Sequence, residues 1–279
     1  PEKASLKKLC RFFSMTRQAY YQHLYREERK RHRDKLIIDL VKSDRKLLPR
    51  LGARKLWGNV SDEFTRHGLK PLGRDRFIAV LRAHNLLLEP RPSQAPRTTY
   101  SRHEYAVQPN RIKDLSITRP LQALVADITY IRVERGFAYL FLVTDPCSRQ
   151  IMGHHLSKTL EHTGAVTALR AAVKGINPAG IIHHSDRGVQ YCCHQFLDEL
   201  HRLGMVSSMT DADHCAQNAL AERMNGILKN EFFLDLPFTS FAAAKKAVDQ
   251  AVMLYNQVRP HGSLNNDTPA HFHACALAA

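Results

Sequence analysis

Three carboxylates stand out by their surroundings. Asp127 lies inside "VADITYI", Asp186 closes "IIHHSD" ahead of Arg187 and Gly188, and Glu222 lies within "NALAERMNGILK". An acid in the middle of an apolar, β-branched run is costly to bury unless it sits on a solvent-facing edge or meets a partner. An acid between an apolar run and a glycine suits either a turn or a ligand held at a strand's end. Glu222 shares one helix face with Asn218, with Asn225 or Gly226, and with Lys229, by i, i+4, i+7 spacing. That stripe of amide, carboxylate and ammonium fits a solvated face or a face turned toward a charged ligand. Spacing separates these readings: 35 residues lie between Asp186 and Glu222. Two carboxylates from strands and one from a helix can converge on two Mg2+ ions, with Mn2+ as a substitute, because these cations take hard oxygen ligands. Cys and His would favour zinc. His183, His184, Cys192, Cys193 and His194 suit it poorly, since adjacent side chains diverge, and His183 reads as an inward-facing strand residue.

The elements needed to position these acids are legible in order. "ALVADITYIRV", "FAYLFLVTD" and "QIMGHHLS" read as three consecutive strands, the first two joined as a hairpin across Arg135 and Gly136. "LEHTGAVTALRAAVKG" is a helix closed by Gly175, "GIIHHS" a fourth strand, "HQFLDELHRLG" a helix closed by Gly204, and "MVSSMT" a fifth strand. Two more helices follow, "CAQNALAERMNGILKNEFF" and "SFAAAKKAVDQAVMLYNQ". This order predicts an α/β, RNase-H-like fold over residues 119–279, a mixed five-stranded sheet with flanking helices. Asp127 and Asp186 then fall on neighbouring central strands.

Residues 1–88 read differently, as a small all-α region of two helix-turn-helix-like units. Lys3–Phe13 forms a short basic helix ahead of a second one capped by Ser14 or Thr16. Arg17 lies at the start of that helix, where groove-reading residues sit in such motifs. The next pair places Ala53, Leu56, Trp57, Val60 and Phe64 on one inward face, then Phe77, Ile78, Leu81 and the Leu86–Leu88 run, leaving Arg74, Arg76 and Arg82 outward. Residues 89–118, rich in Pro, Arg, Ser and Thr, read as a linker lying along DNA or along the next domain.

Charge follows the same division. Of 41 Lys and Arg, 25 lie within residues 1–105, against 11 of the 26 Asp and Glu. That segment carries almost all of the net +15, which points to a nucleic-acid-binding arm joined to a body with another task. No apolar run is long enough to cross a bilayer, and the basic start lacks an apolar signal core. Six cysteines without a C-x-x-C pair read as reduced thiols. The expectation is a soluble cytoplasmic protein.

The stretches "ADITYI", "HHSDRGVQY", "NALAERMNGILKNEF" and "YNQVRPHGSLNNDTP", in this order and with 35 residues between the second and third acids, resemble the OrfB transposases of the IS3 family of bacterial insertion sequences, whose catalytic domain is retroviral-integrase-like. The likeness covers nearly all of the catalytic half, and "LGARKLWGNV…FIAVLRAHNLL" is similar to the helical DNA-binding segment before it. Leu124 and Ala126 stand where the family usually has Trp and Thr. The resemblance implies a DDE transposase acting on duplex DNA, at element ends and at a target, as a homo-oligomer on the bacterial nucleoid. It also implies a possible partner protein from an upstream reading frame. Asp127, Asp186 and Glu222 would be its acids. Lys229, Arg187 and Asn218 would lie against nearby phosphates, and Arg259 and His261 against the DNA backbone. An RNase-H-like nuclease without strand transfer and a transposase-derived regulator are the rival readings. The 35-residue spacing argues against the first, and the intact triad against the second.

Overall fold

The computed structural model describes residues 5–89, 104–134, 136–211 and 219–279. The chain divides into two compact units, residues 1–47 with 51–89, and residues 48–50 with 90–279.

In the first unit, α1 (Leu6–Phe12) begins at the cap Ser5 and buries only Cys10. α2 (Arg17–Leu47) is capped by Thr16, whose hydroxyl accepts from the Ala19 amide at 3.0 Å. It is polar almost all round and buries only Ile37 and Val41, both in its C-terminal half. α3 (Ala53–Arg66) is strongly amphipathic and buries Leu56, Val60 and Phe64. The half-buried Trp57 donates its indole N–H to the Leu72 carbonyl at 2.8 Å, so this tryptophan packs and caps a loop. α4 (Arg74–Ala83) buries Phe77, Val80 and Leu81 and leaves Arg74, Arg76 and Arg82 exposed. The expected inward run Leu86–Leu88 is corrected. α4 stops at Ala83, Asn85 turns with φ 54°, and Leu87 lies 36% exposed.

The second unit is built on five strands: β1 (Ala123–Val133), β2 (Gly136–Thr144), β3 (Ile151–Ser157), β4 (Ile182–Ser185) and β5 (Val206–Met209), in the order β3-β2-β1-β4-β5. The first three pair antiparallel, whereas β4 runs parallel to β1 and β5 parallel to β4. Parallel strands need crossovers, and helices supply them. α5 (His162–Ala172) connects β3 to β4. α6 (Val189–Cys192) and α7 (His194–Arg202) connect β4 to β5. α8 (Ala219–Glu231), α9 (Phe241–Gln257) and α10 (Pro269–Ala278) complete the chain.

Strand alternation sorts the core into two layers. Leu124 and Ala126 of β1 face α5, α6 and α7, with Ala165, Leu169, Tyr191 and Phe196. Ile131 of β1 and Leu140 and Leu142 of β2 face α8 and α9, with Met224, Leu228, Val248 and Tyr255. α5 lies so close to β3 that a Cβ on Gly153 would come within 2.8 Å of the Ala172 Cα. Asn256 of α9 exchanges two hydrogen bonds with the Ile151 backbone, at 3.0 and 2.9 Å, and so docks the C-terminal helices on the sheet edge. The segment before β1 joins this unit too: the Arg111 amide donates to the Ser208 hydroxyl of β5 at 2.8 Å. Among the described residues no helix is long and apolar enough to cross a membrane.

Candidate active site

Asp127 sits at the middle of β1, opposite Leu142 of β2. Its parity with Ile131 turns it to the α8 side of the sheet. On the other side of β1, Val125 pairs with His184 of β4, so Asp127 and Asp186 each lie two residues further along adjacent parallel strands and come level. Asp186 itself begins the turn after β4. Its Oδ1 accepts from the Gly188 amide at 3.0 Å, and a Cβ on Gly188 would approach that same oxygen to 3.0 Å. The aspartate thus forms the turn and is held at the strand's end by it.

α8 crosses above. It buries Met224 and Leu228 against the sheet, which places Asn225 inward and Glu222, one turn earlier, on the exposed rim. Asn225 Nδ2 donates to Asp127 Oδ2 at 2.7 Å, and the Ile128 amide donates to Asp127 Oδ1 at 2.9 Å. Burial pushes the Asp127 carboxyl up to about 7, with the charge of Asp186 adding to it; the Asn225 and Ile128 hydrogen bonds oppose the rise, and Glu222 adds a smaller upward push. The acids on β1, after β4 and on α8 therefore act on one another as like charges. They do not close on a single point: among the described residues no group of three or more His, Cys, Asp or Glu side chains is gathered as a metal ion needs. Mutual repulsion of bare carboxylates opposes that closure.

Lys229 lies two turns along α8 from Glu222. Burial lowers its ammonium, while Asp127 and Asp235 pull it back up. Arg187 follows Asp186 and uses its Nε to donate to the Thr210 carbonyl at 2.8 Å, tying the turn after β4 to the end of β5. Asn218 lies outside the described residues. Arg17, Arg74, Arg76 and Arg82 are exposed on α2 and α4 of the first unit. The expectation for Arg259 is corrected. Its side chain is 2% exposed, its Nε and Nη2 both donate to the Glu231 carboxylate at 2.7 Å, and it lies over the Tyr255 ring. A guanidinium buried in a bidentate pair has no donor face left for a phosphate. His261 caps the following turn, with its Nδ1 2.9 Å from the Ser263 hydroxyl.

Two side-chain pairings near the site carry no signal in the sequence pattern. Asn225 falls on the polar stripe of α8, but its bond to Asp127 spans 98 positions. Glu231, the partner of Arg259, has no local mark at all. His183 packs inward against Tyr191 and Phe196, as its strand position suggests.

Three antiparallel strands followed by two parallel ones, with Asp127 on β1 and Asp186 just past the end of β4, define an RNase-H-like fold. Family profiles described as Integrase core domain match residues 203–269 and 117–215. The 31 kDa protein of insertion element IS600 from Shigella sonnei is 31% identical over 95% of this chain and 97% of its own length. The transposase InsF of insertion sequence IS3A from Escherichia coli K12 is 28% identical over 98% and 96%, and the IS629 transposase of Shigella sonnei 29% identical over 78% and 72%. Among solved structures, the HTLV-2 integrase catalytic core aligns with 56% of this chain and 97% of its own, at 19% identity and a TM-score of 0.45. The chain belongs to the IS3 family of insertion-sequence transposases, and its enzymatic class is the DDE polynucleotidyl transferases.

Proposed function

We propose that Asp127, Asp186 and Glu222 are the catalytic carboxylates of this transposase and that they hold two Mg2+ ions, which Mn2+ can replace. The observation that carries this reading is the strand register: it brings Asp127 of β1 level with Asp186, just past the end of the parallel neighbour β4, beneath the helix that bears Glu222. The donor set fits such ions. All three side chains offer hard oxygens, and Asp127 is a crowded, partly buried acid for which a cation would relieve the repulsion of its neighbours. When bound, the cations supply Lewis-acid activation and charge neutralisation at phosphorus.

The chain's own groups do the rest. Asp127 and Asp186 are held by the sheet and the turn after β4, and bound cations would draw them and Glu222 together against the mutual repulsion of the bare carboxylates. Lys229, on the same face of α8, neutralises a non-bridging phosphate oxygen. The exposed arginines of α4 and Arg17 of α2 hold duplex DNA at the element's ends. The reaction is hydrolysis of one phosphodiester at an end, followed by attack of the freed 3′-hydroxyl on a target phosphodiester. The second step exchanges one phosphodiester for another and needs no nucleotide hydrolysis. In this reading the protein works on the bacterial nucleoid as a homo-oligomer, with a partner from an upstream frame as a possible companion.

Asp127→Asn, Asp186→Asn and Glu222→Gln each abolish cleavage and strand transfer on a terminal-DNA substrate, with binding of that DNA retained. Mg2+ and Mn2+ support turnover, and Ca2+ supports binding with little or none, because its longer, more flexible coordination misplaces the attacking oxygen. A variant that still transfers strands removes its residue from the site. Full turnover in Ca2+ alone overturns the metal assignment.

A further inference from the structure

Asn225 is 6% exposed on the face of α8 that packs on the sheet, between Met224 and Leu228, which are 2% and 0% exposed. Its Nδ2 makes the 2.7 Å bond to Asp127 Oδ2. A carboxylate that is ionised, as it would be when holding a cation, only accepts, so the amide presents its nitrogen there. That choice leaves the other end stranded: Asn225 Oδ1 is buried with no hydrogen-bond partner among the described residues. A buried acceptor without a partner destabilises the fold, and an apolar side chain of similar volume would avoid the penalty. The one gain set against that penalty is the donor that Asn225 gives to the buried Asp127 carboxylate.

Met224 and Leu228 grip the sheet through apolar contacts, which are non-directional, and the directional bonds of α8 to Tyr255 and Arg259 tie it to α9 and the residues after it, not to β1. The Asn225–Asp127 bond is directional. Glu222 lies three residues before Asn225, so their Cβ atoms stand about 5–6 Å apart on one rigid helix face. Pinning Asn225 to Asp127 fixes how far Glu222 stands from that acid. It also fixes which way the Asp127 carboxylate turns its oxygens, together with the Ile128 amide on Oδ1.

We propose that Asn225 is a positioning residue for strand cleavage and transfer: its amide sets the orientation of the Asp127 carboxylate and, through it, the placement of Glu222. This rests on the reading of Asp127 as a catalytic carboxylate. Partners of ligating carboxylates act through the ligand's geometry, and removing them typically lowers metal affinity or activity about 10- to 100-fold.

The test uses the full chain with Asn225→Leu, which keeps the volume and removes the donor, and Asn225→Ala, which cannot overpack. Four quantities are measured: the thermal midpoint without metal, Mn2+ affinity of the chain by water-proton relaxation, and kcat and KM on terminal DNA. The expected result is a thermal midpoint for N225L close to that of the parent, since the stranded oxygen is gone while Asp127 loses one donor. N225A also folds. In both, Mn2+ affinity and kcat fall by about 10- to 100-fold, while KM for DNA is unchanged. A purely structural asparagine gives the opposite pattern: a lowered midpoint with kcat and Mn2+ affinity preserved in whatever folds. The proposal is overturned if either variant keeps kcat and Mn2+ affinity within about threefold of the parent, or if neither variant folds. D127N run in parallel separates the two levels of the argument. Turnover by D127N overturns the carboxylate assignment itself. An inactive D127N beside active N225L and N225A overturns only the role of Asn225.

Discussion

Arg259 stands in "NQVRPHGSL", a stretch whose polarity suggests a surface. The fold turns it inward, with both Nε and Nη2 on Glu231 at 2.7 Å. Removing one partner of a buried ion pair leaves the other uncompensated, so Arg259→Ala destabilises the chain by about 3 kcal/mol or more. Arg259→Lys fails to rescue it, because an ammonium cannot reproduce a two-point grip. Chemical denaturation reads both effects, and terminal-DNA affinity of the folded fraction is unchanged. An unchanged midpoint with weakened DNA binding would restore the expectation of a phosphate-binding arginine. The acids behave differently. Asp186 and Glu222 are legible because their separation along the chain is itself a signal. Arg259–Glu231 and Asn225–Asp127 are pairs across 28 and 98 positions. No local pattern encodes them; packing decides which polar side chain meets which.

Elements with a clear period are legible almost to the residue. β1 spans the residues of "ALVADITYIRV", and its burial alternates only past Asp127, where the α5–α7 layer gives way to solvent on one side. α6 has four residues, too few for a period to show, and α10, "PAHFHACALA", offers little contrast between faces. Leu86–Leu88 defeats the pattern because an apolar run does not say where a helix stops. β4 carries an element-scale prediction. His183 is 1% exposed, its Nε2 is buried without a partner among the described residues, and burial pulls its imidazole down to about 3, with His184 adding to the effect. The fold keeps this ring neutral, whereas the unfolded chain protonates it near 6.5. Between those values the unfolded state binds more protons. Stability is therefore full above pH 6.5 and falls as the pH drops toward 3. His183→Leu flattens that fall between about pH 6 and 4, while stability at about pH 7.5 changes by less than about 1.5 kcal/mol. Urea midpoints at the three pH values check it, and an undiminished slope assigns the acid sensitivity to other groups.

At the scale of the whole molecule, two units with separate cores carry different tasks in the proposed function. α4 presents Arg74, Arg76 and Arg82 to solvent, so replacing all three with alanine leaves the thermal midpoint near its starting value. Each phosphate that these arginines no longer neutralise reduces the slope of log affinity against log salt by about 0.9, which anisotropy at several ionic strengths measures on the full chain. An unaltered slope takes α4 off the DNA. Residues 1–105 hold 25 of the 41 basic side chains, and the remainder of the chain is close to neutral. One end of the protein therefore feels a polyanion from a distance and the other hardly at all. In the proposed function, capture runs through the basic segment, and the near-neutral segment is brought to the DNA because it belongs to the same chain. In the proposed function such an uneven charge lets a weak catalytic grip be a useful one, since holding the DNA does not depend on it.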